Sequence, residues 1–225
     1  MTTPTTIARA ATAHGEVALR RRGDVLELIV NGAFAMDTVD PSTEEALARQ
    51  ALARHARPAR VLVGGLGLGF TTRAVLADLR VIRLDVVELA APLVRWAREE
   101  IVPELAGLAG DPRCTLHVAD VADVVAGRAG PPGPWDLVLL DVDNGPGFLI
   151  HEANAGLYAA AGLAAARAHL APGGMLVVWS SHRSPELLAA LTEVAGPGER
   201  VAEYPFVVHR EGRDLGYATY ALTTR

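Results

Sequence analysis

Arg60-Val61-Leu62-Val63-Gly64-Gly65-Leu66-Gly67-Leu68-Gly69 is an apolar run that ends in glycines, and a second apolar stretch, Val81 to Glu88, follows it and ends in an acid. An apolar run of this length, bounded by glycine, reads as a buried strand entering a tight turn. Gly65, Gly67 and Gly69 leave that turn without side chains, so its backbone can come close to a ligand. Glu88 at the tip of the next strand offers the two acceptor oxygens that a ribose diol requires. The pair of features predicts a nucleoside site.

From Arg60 onward apolar runs alternate with helix-like segments. Strands are predicted at 60–64, 81–88, 114–119, 135–141 and 174–180, with helices at about 69–79, 90–103, 152–170 and 184–195. Strands interleaved with helices of ten or more residues imply a mostly parallel sheet covered on both faces. Two last runs, Val201 to His209 and Tyr217 to Thr223, are joined only by Arg210-Glu211-Gly212-Arg213-Asp214, too little for a crossover helix, and must pair antiparallel. Upstream, Glu16 to Arg22 and Val25 to Val30 flank Gly23-Asp24, a hairpin signal. A polar start at Pro41-Ser42-Thr43-Glu44-Glu45 opens a helix to about His55. The chain is therefore read as α/β, with a small β-hairpin cap over residues 1–40 and a Rossmann-like domain over 41–225. Its seven strands, closed by an antiparallel hairpin, are those of the S-adenosylmethionine-type (methyltransferase-type) sheet. The glycine spacing agrees, because G-x-G-x-G is one residue tighter than the G-x-G-x-x-G of dinucleotide oxidoreductases.

Composition narrows the chemistry. At 225 residues and 50% apolar content the chain can bury a substantial core. No apolar run approaches the roughly 20 residues of a membrane helix, and the threonine-rich start lacks a signal region, so a cytoplasmic protein without a membrane partner is expected. The net charge of −5 disfavours nucleic acid. All 21 cationic side chains are arginine, which excludes Schiff-base lysine chemistry and a phosphate-loop lysine. Cys114, the single cysteine, lies in an apolar run and reads as a buried residue. His151-Glu152 and His169 lack the spacing of a zinc site, and no metal is expected. Ser180-Ser181-His182 lacks a nucleophile elbow, so hydrolysis is disfavoured. Trp179 and Phe148 read as packing residues before pocket residues.

Acids recur at the carboxyl edge of the predicted sheet: Asp120 after the third strand, and Asp141 and Asp143 after the fourth. In an open parallel sheet these converge with Glu88 on one cleft. Four carboxylates repel one another unless the ligands are cationic, and a sulfonium donor with an ammonium acceptor would supply that charge. Asp120 also suits a helix N-cap, Asp141 a plain strand-end acid, and Asp143, ahead of Asn144-Gly145, a turn.

The order of a hairpin, a helix, V-L-V-G-G-x-G-x-G at 61–69, V-x-E at 86–88, W-D-L-V-L-L-D-x-D-x-G-P at 135–146 and L-A-P-G-G-M-L-V-V at 170–178 resembles the spermidine synthase family of aminopropyltransferases, over about residues 16 to 185. The resemblance implies that Glu88 holds the ribose, that Asp120 meets the adenine edge, and that Asp141 orients and deprotonates an attacking amine with Asp143 as a second acid. Gly64, Gly65, Gly67, Gly69, Leu89 and Val121 complete the donor site, and Tyr158 stands near the acceptor. The implied donor is decarboxylated S-adenosylmethionine, the acceptor a small-molecule amine, and the assembly a homodimer.

Three departures bear on the substrate. The family's acid in the glycine loop, which holds the donor amine, falls near Gly67 or Leu68. Its glutamine after the hairpin falls near Ala35-Met36-Asp37, and its tyrosine-histidine pair near Thr43-Glu44-Glu45, leaving Asp37 or Glu44 as substitutes. The alternatives are a small-molecule methyltransferase using S-adenosylmethionine, whose carboxylate the loop amides would accept, and a non-catalytic nucleoside-binding subunit.

Overall fold

The computed structural model describes residues 3–210 and 212–225. Met1 and Thr2, part of the threonine-rich start, and Glu211, in the predicted hairpin connection, lie outside the described residues.

The predicted hairpin is the middle of a four-stranded antiparallel sheet. Strands β1 (Thr5–Thr12), β2 (Gly15–Arg22), β3 (Val25–Val30) and β4 (Ala33–Asp37) pair in sequence order. β2 and β3 bury Val17, Leu19, Leu26 and Leu28, and Glu27 beneath them is held by Arg20 and Arg22 at 3.0 and 2.9 Å. The outer strands carry no clear signal in the sequence, because β1 is mostly threonine and alanine and β4 has only five residues. Helix α1 (Ser42–Arg54) then leads into the second sheet.

Here the alternation predicted from Arg60 is realised as β5 (Arg60–Gly64), α2 (Phe70–Leu76), β6 (Arg83–Glu88), α3 (Ala91–Arg98), β7 (Cys114–Val118), α4 (Val121–Val125), β8 (Trp135–Leu140), α5 (Ala155–Tyr158), α6 (Ala160–Ala168), β9 (Leu170–Ser180), α7 (Pro185–Val194), β10 (Arg200–Arg210) and β11 (Arg213–Thr223). The seven strands lie in the order β10-β11-β9-β8-β5-β6-β7, parallel except for the final hairpin and its pairing to β9. Both faces are covered: Val61 and Val63 of β5 join one apolar cluster, while Leu62 between them joins the other.

α2 and α3 end earlier than the sequence predicts, and a third helix is broken. α3 stops at Arg98 because Glu100 takes a left-handed φ of 52° and the Ile101 amide reaches back to the Trp96 carbonyl at 3.1 Å, a helix-terminating motif. The helix predicted over 152–170 is broken at Ala159, whose backbone is extended, and preceded by a single 3-10 turn. Gly162 packs so tightly on this break that an added Cβ would lie 2.3 Å from the Gly156 carbonyl. Among the described residues no helix is long and apolar enough to cross a membrane.

Candidate functional site

The sheet order fixes where a ligand can lie. β5, β6 and β7 run outward in sequence while β8 pairs on the other side of β5, so the order reverses between β5 and β8 and leaves a crevice at their carboxyl ends. Asp141, the glycine turn, Glu88 and Asp120 follow β8, β5, β6 and β7 and stand along that edge in this order. Three strand spacings separate the outer two, roughly 14 Å, a length suited to a nucleoside with a short arm. All four border one open cleft.

The N-terminal sheet roofs this cleft. Met36 of β4 lies over the glycine turn, its Sδ accepting the Leu68 amide at 3.2 Å. At the other end His14, in the β1–β2 turn, meets His151 edge to face with ring centroids 5.2 Å apart. Neither histidine was singled out with this contact in view, because it joins residues 137 positions apart in the chain.

Glu88 is held by the turn it serves. Its oxygens accept the Leu66 amide at 2.9 Å and the Ala90 amide at 2.7 Å, which fixes the carboxylate plane at the cleft border. Burial raises its pKa, and the surrounding amides oppose the rise. Asp120 is the N-cap of α4, accepting the Ala122 amide at 2.8 Å through one oxygen, so the capping and cleft readings coexist. Leu89 and Val121 supply apolar walls at this end. Gly65 and Gly67 border the cleft, whereas Gly64 packs against Val121 and Gly69 starts α2 beneath Leu108, so these two shape the turn and do not face the ligand space.

At the other end Asp141 has one side-chain hydrogen-bond donor, the hydroxyl of Thr71 at 2.5 Å, in the first turn of α2. Burial raises its pKa to about 7, reinforced by the charge of Glu44 and opposed by Thr71. A carboxylate with a pKa near 7 suits a general base. Glu44 also borders the cleft; one of its oxygens accepts the Thr43 hydroxyl, and burial raises its pKa. Asp37, the other candidate substitute, is buried below the cleft border and accepts the Val39 amide at 2.9 Å. Thr71 was legible only as part of a helix start, since nothing local marks its bond to an acid 70 residues on.

Asp143 and Tyr158 are both tied into the loop that follows β8. Asp143 borders the cleft, but its oxygens accept the Ile150 and His151 amides at 2.8 and 3.0 Å and the Asn154 side-chain amide at 2.8 Å. Its backbone, at φ 58°, makes the turn that its sequence context also suggested. Tyr158 is buried beside the acid loop, within reach of the charges of Asp141 and Asp143, and its hydroxyl donates to the Val142 carbonyl at 2.6 Å. It braces the peptide between the two acids. Tyr158→Phe leaves that carbonyl without its donor and is expected to lower stability by about 1–3 kcal/mol, read as a reduced urea midpoint. Trp179 does border the cleft, while Phe148 is 55% exposed and does not.

The sheet order, its closing hairpin and the glycine turn define a class I S-adenosylmethionine-type fold. The chain is 30% identical over 221 residues to a polyamine aminopropyltransferase of Mycobacterium tuberculosis, a match covering 96% of this chain and 41% of that protein. It is 33% identical over 175 residues to polyamine aminopropyltransferase 2 of Pseudomonas aeruginosa, covering 73% of this chain and 46% of that one. Among solved structures, a spermidine synthase in complex with the transition state analogue AdoDATO superposes with a TM-score of 0.78 at 17% identity, over 98% of this chain and 74% of that one. Spermidine synthase from Thermotoga maritima gives 0.76 at 17% identity, over 98% and 73%. No family model matches the chain. These likenesses place the chain in the spermidine synthase family. It spans less than half the length of these two curated relatives.

Proposed function

We propose that the protein transfers an aminopropyl group from decarboxylated S-adenosylmethionine to a small-molecule amine. The observation that carries this reading is the charge of the cleft. Glu16, Glu44, Glu88, Asp120, Asp141 and Asp143 border it, and among the described residues no arginine does. A dicationic donor and an ammonium acceptor relieve that repulsion, whereas the carboxylate of S-adenosylmethionine adds to it. The glycine turn offers that carboxylate little: the Gly65 amide bonds the Val87 carbonyl, the Leu66 and Gly67 amides face the Glu88 carboxylate, Leu68 bonds Met36 and Gly69 bonds the Leu66 carbonyl. This disfavours the methyltransferase reading.

In the proposed reaction Glu88 takes the ribose hydroxyls and Asp120, through its second oxygen, the adenine edge. The amine nitrogen attacks the propyl carbon next to sulfur, the carbon–sulfur bond breaks with its electron pair going to sulfur, and methylthioadenosine leaves. Asp141 attracts the acceptor ammonium and receives its proton, while Thr71, Asp143 and Tyr158 hold that acid and its loop in place. The homodimer implied by the resemblance belongs to the same proposal, and nucleic acid is not a partner in it.

Calorimetric titration with decarboxylated S-adenosylmethionine, S-adenosylmethionine and methylthioadenosine tests the reading. The decarboxylated donor is expected to bind at least tenfold more tightly than S-adenosylmethionine. The reverse preference would establish methyl transfer, and equal weak binding of all three a non-catalytic role.

A further inference from the structure

The donor in this proposal carries an ammonium at the end of its propyl arm, and the glycine turn has no acid to receive it. Met36 stands where a side chain at Gly67 would begin: a Cβ there would lie 2.6 Å from its sulfur. The cleft itself contains five other candidates besides Glu44, and each is committed. Glu88 and Asp120 stand at the nucleoside end, and Asp141 faces the acceptor. Asp143 is saturated by three donors within its own loop. Glu16 is neutralised by Arg9 at 2.6 Å.

Glu44 differs from all of these. It enters from α1, and its carbonyl lies 3.2 Å from the Thr71 hydroxyl, the same hydroxyl that donates to Asp141 at 2.5 Å. Glu44 therefore packs against the first turn of α2, directly after the glycine turn and next to the catalytic acid. Among the described residues only Thr43, its neighbour, donates to its carboxylate from a side chain, and no cation pairs with it. Met36 closes the same corner from the roof, with a polarisable sulfur in place of a hydrogen-bonding group.

Resting on the aminopropyl reading, we infer that Glu44 binds the ammonium of the donor arm, supplying from α1 the anion that the glycine turn lacks. It is a specificity residue: it would recognise the arm ammonium, which together with the sulfonium charge separates the decarboxylated donor from methylthioadenosine, and it would repel the carboxylate of S-adenosylmethionine. Without it the arm would be free to swing away from Asp141, so donor affinity and the productive geometry are tied to the same side chain.

The test is Glu44→Gln, titrated calorimetrically with decarboxylated S-adenosylmethionine and with methylthioadenosine. Gln keeps an oxygen for Thr43, so the fold is expected to persist, and methylthioadenosine binding reports that directly. The donor is expected to lose 10- to 100-fold in affinity while methylthioadenosine is unchanged, and Glu44→Asp is expected to recover part of the loss. Unchanged donor affinity, or an equal loss for both ligands, would overturn the assignment. So would a raised KM for the amine alone, which would put Glu44 on the acceptor. A wild-type protein that prefers S-adenosylmethionine would overturn the aminopropyl reading and this role together, whereas a wild type that prefers the decarboxylated donor beside an indifferent variant would overturn only the role of Glu44.

Discussion

Asp141→Asn is expected to reduce turnover about 10³-fold while leaving affinity for methylthioadenosine within a factor of two or three. The amide keeps an oxygen for the Thr71 hydroxyl and the shape of the side chain, but neither attracts an ammonium nor accepts its proton. In the wild type the base works only when ionised, and burial together with Glu44 sets its pKa at about 7 in the free protein. kcat/KM should therefore fall tenfold per unit as pH drops below about 7. Bound cationic donor favours the ionised acid, so the limb in kcat should lie at lower pH than the limb in kcat/KM. In Asp141→Asn the limb should vanish.

The same shift has a sign for stability. A carboxyl whose pKa rises from 3.8 to about 7 on folding binds its proton more tightly in the native state, so the unliganded protein gains stability as pH falls from 8 through 7 toward 4. Asn mimics the protonated acid. Asp141→Asn should thus be more stable than wild type at pH 8, by about 4 kcal/mol at the upper end, and the difference should disappear below about pH 4. Urea unfolding at pH 8 and pH 4 measures both. Turnover within tenfold of wild type, or an unchanged pH limb, would remove Asp141 as the base.

What the sequence made legible was what is local. The strand ending in glycines, the acid one strand later and the W-D-L-V-L-L-D run each carry their meaning within ten residues, and Arg60–Gly64, Arg83–Glu88 and Trp135–Leu140 lie where the pattern put them to within two residues. Glu88, Asp120 and Asp141 follow because a parallel sheet delivers strand ends to one edge whatever the helices do. Roles decided by distant partners stayed hidden. The commitment of Asp143 depends on a segment seven to eleven residues later, the support of Asp141 on Thr71, and the closing of the turn on Met36 of a strand whose exposed residues gave no periodic signal. The bond of Tyr158 to the Val142 carbonyl, 16 residues back, likewise has no local signal.

Gly65→Ala tests the feature on which the whole reading began. Gly65 has φ 96°, a region that a Cβ disfavours by roughly 1–2 kcal/mol, and that Cβ would lie 2.1 Å from the carbonyl oxygen of Asp141. The obstacle is backbone, held in register by the Asp141 amide on the Gly64 carbonyl at 2.8 Å, so neither partner can rotate away. The chain must part by about an ångström at the crevice between β5 and β8, moving the turn that carries the Leu66 amide off Glu88 and Asp141 away from the proposed position of the amine. A loss of at least 100-fold in methylthioadenosine affinity is expected, with a further fall in kcat, since errors of this size in positioning cost about 10²-fold. Gly23→Ala separates strain from collision: its φ is 62° and nothing lies within 4 Å of an added Cβ, so it should cost stability of about 1 kcal/mol and leave the ligand unaffected. If Gly65→Ala bound methylthioadenosine as the wild type does, the glycine turn would not be the nucleoside cradle, and the site would have to be sought elsewhere along the carboxyl edge.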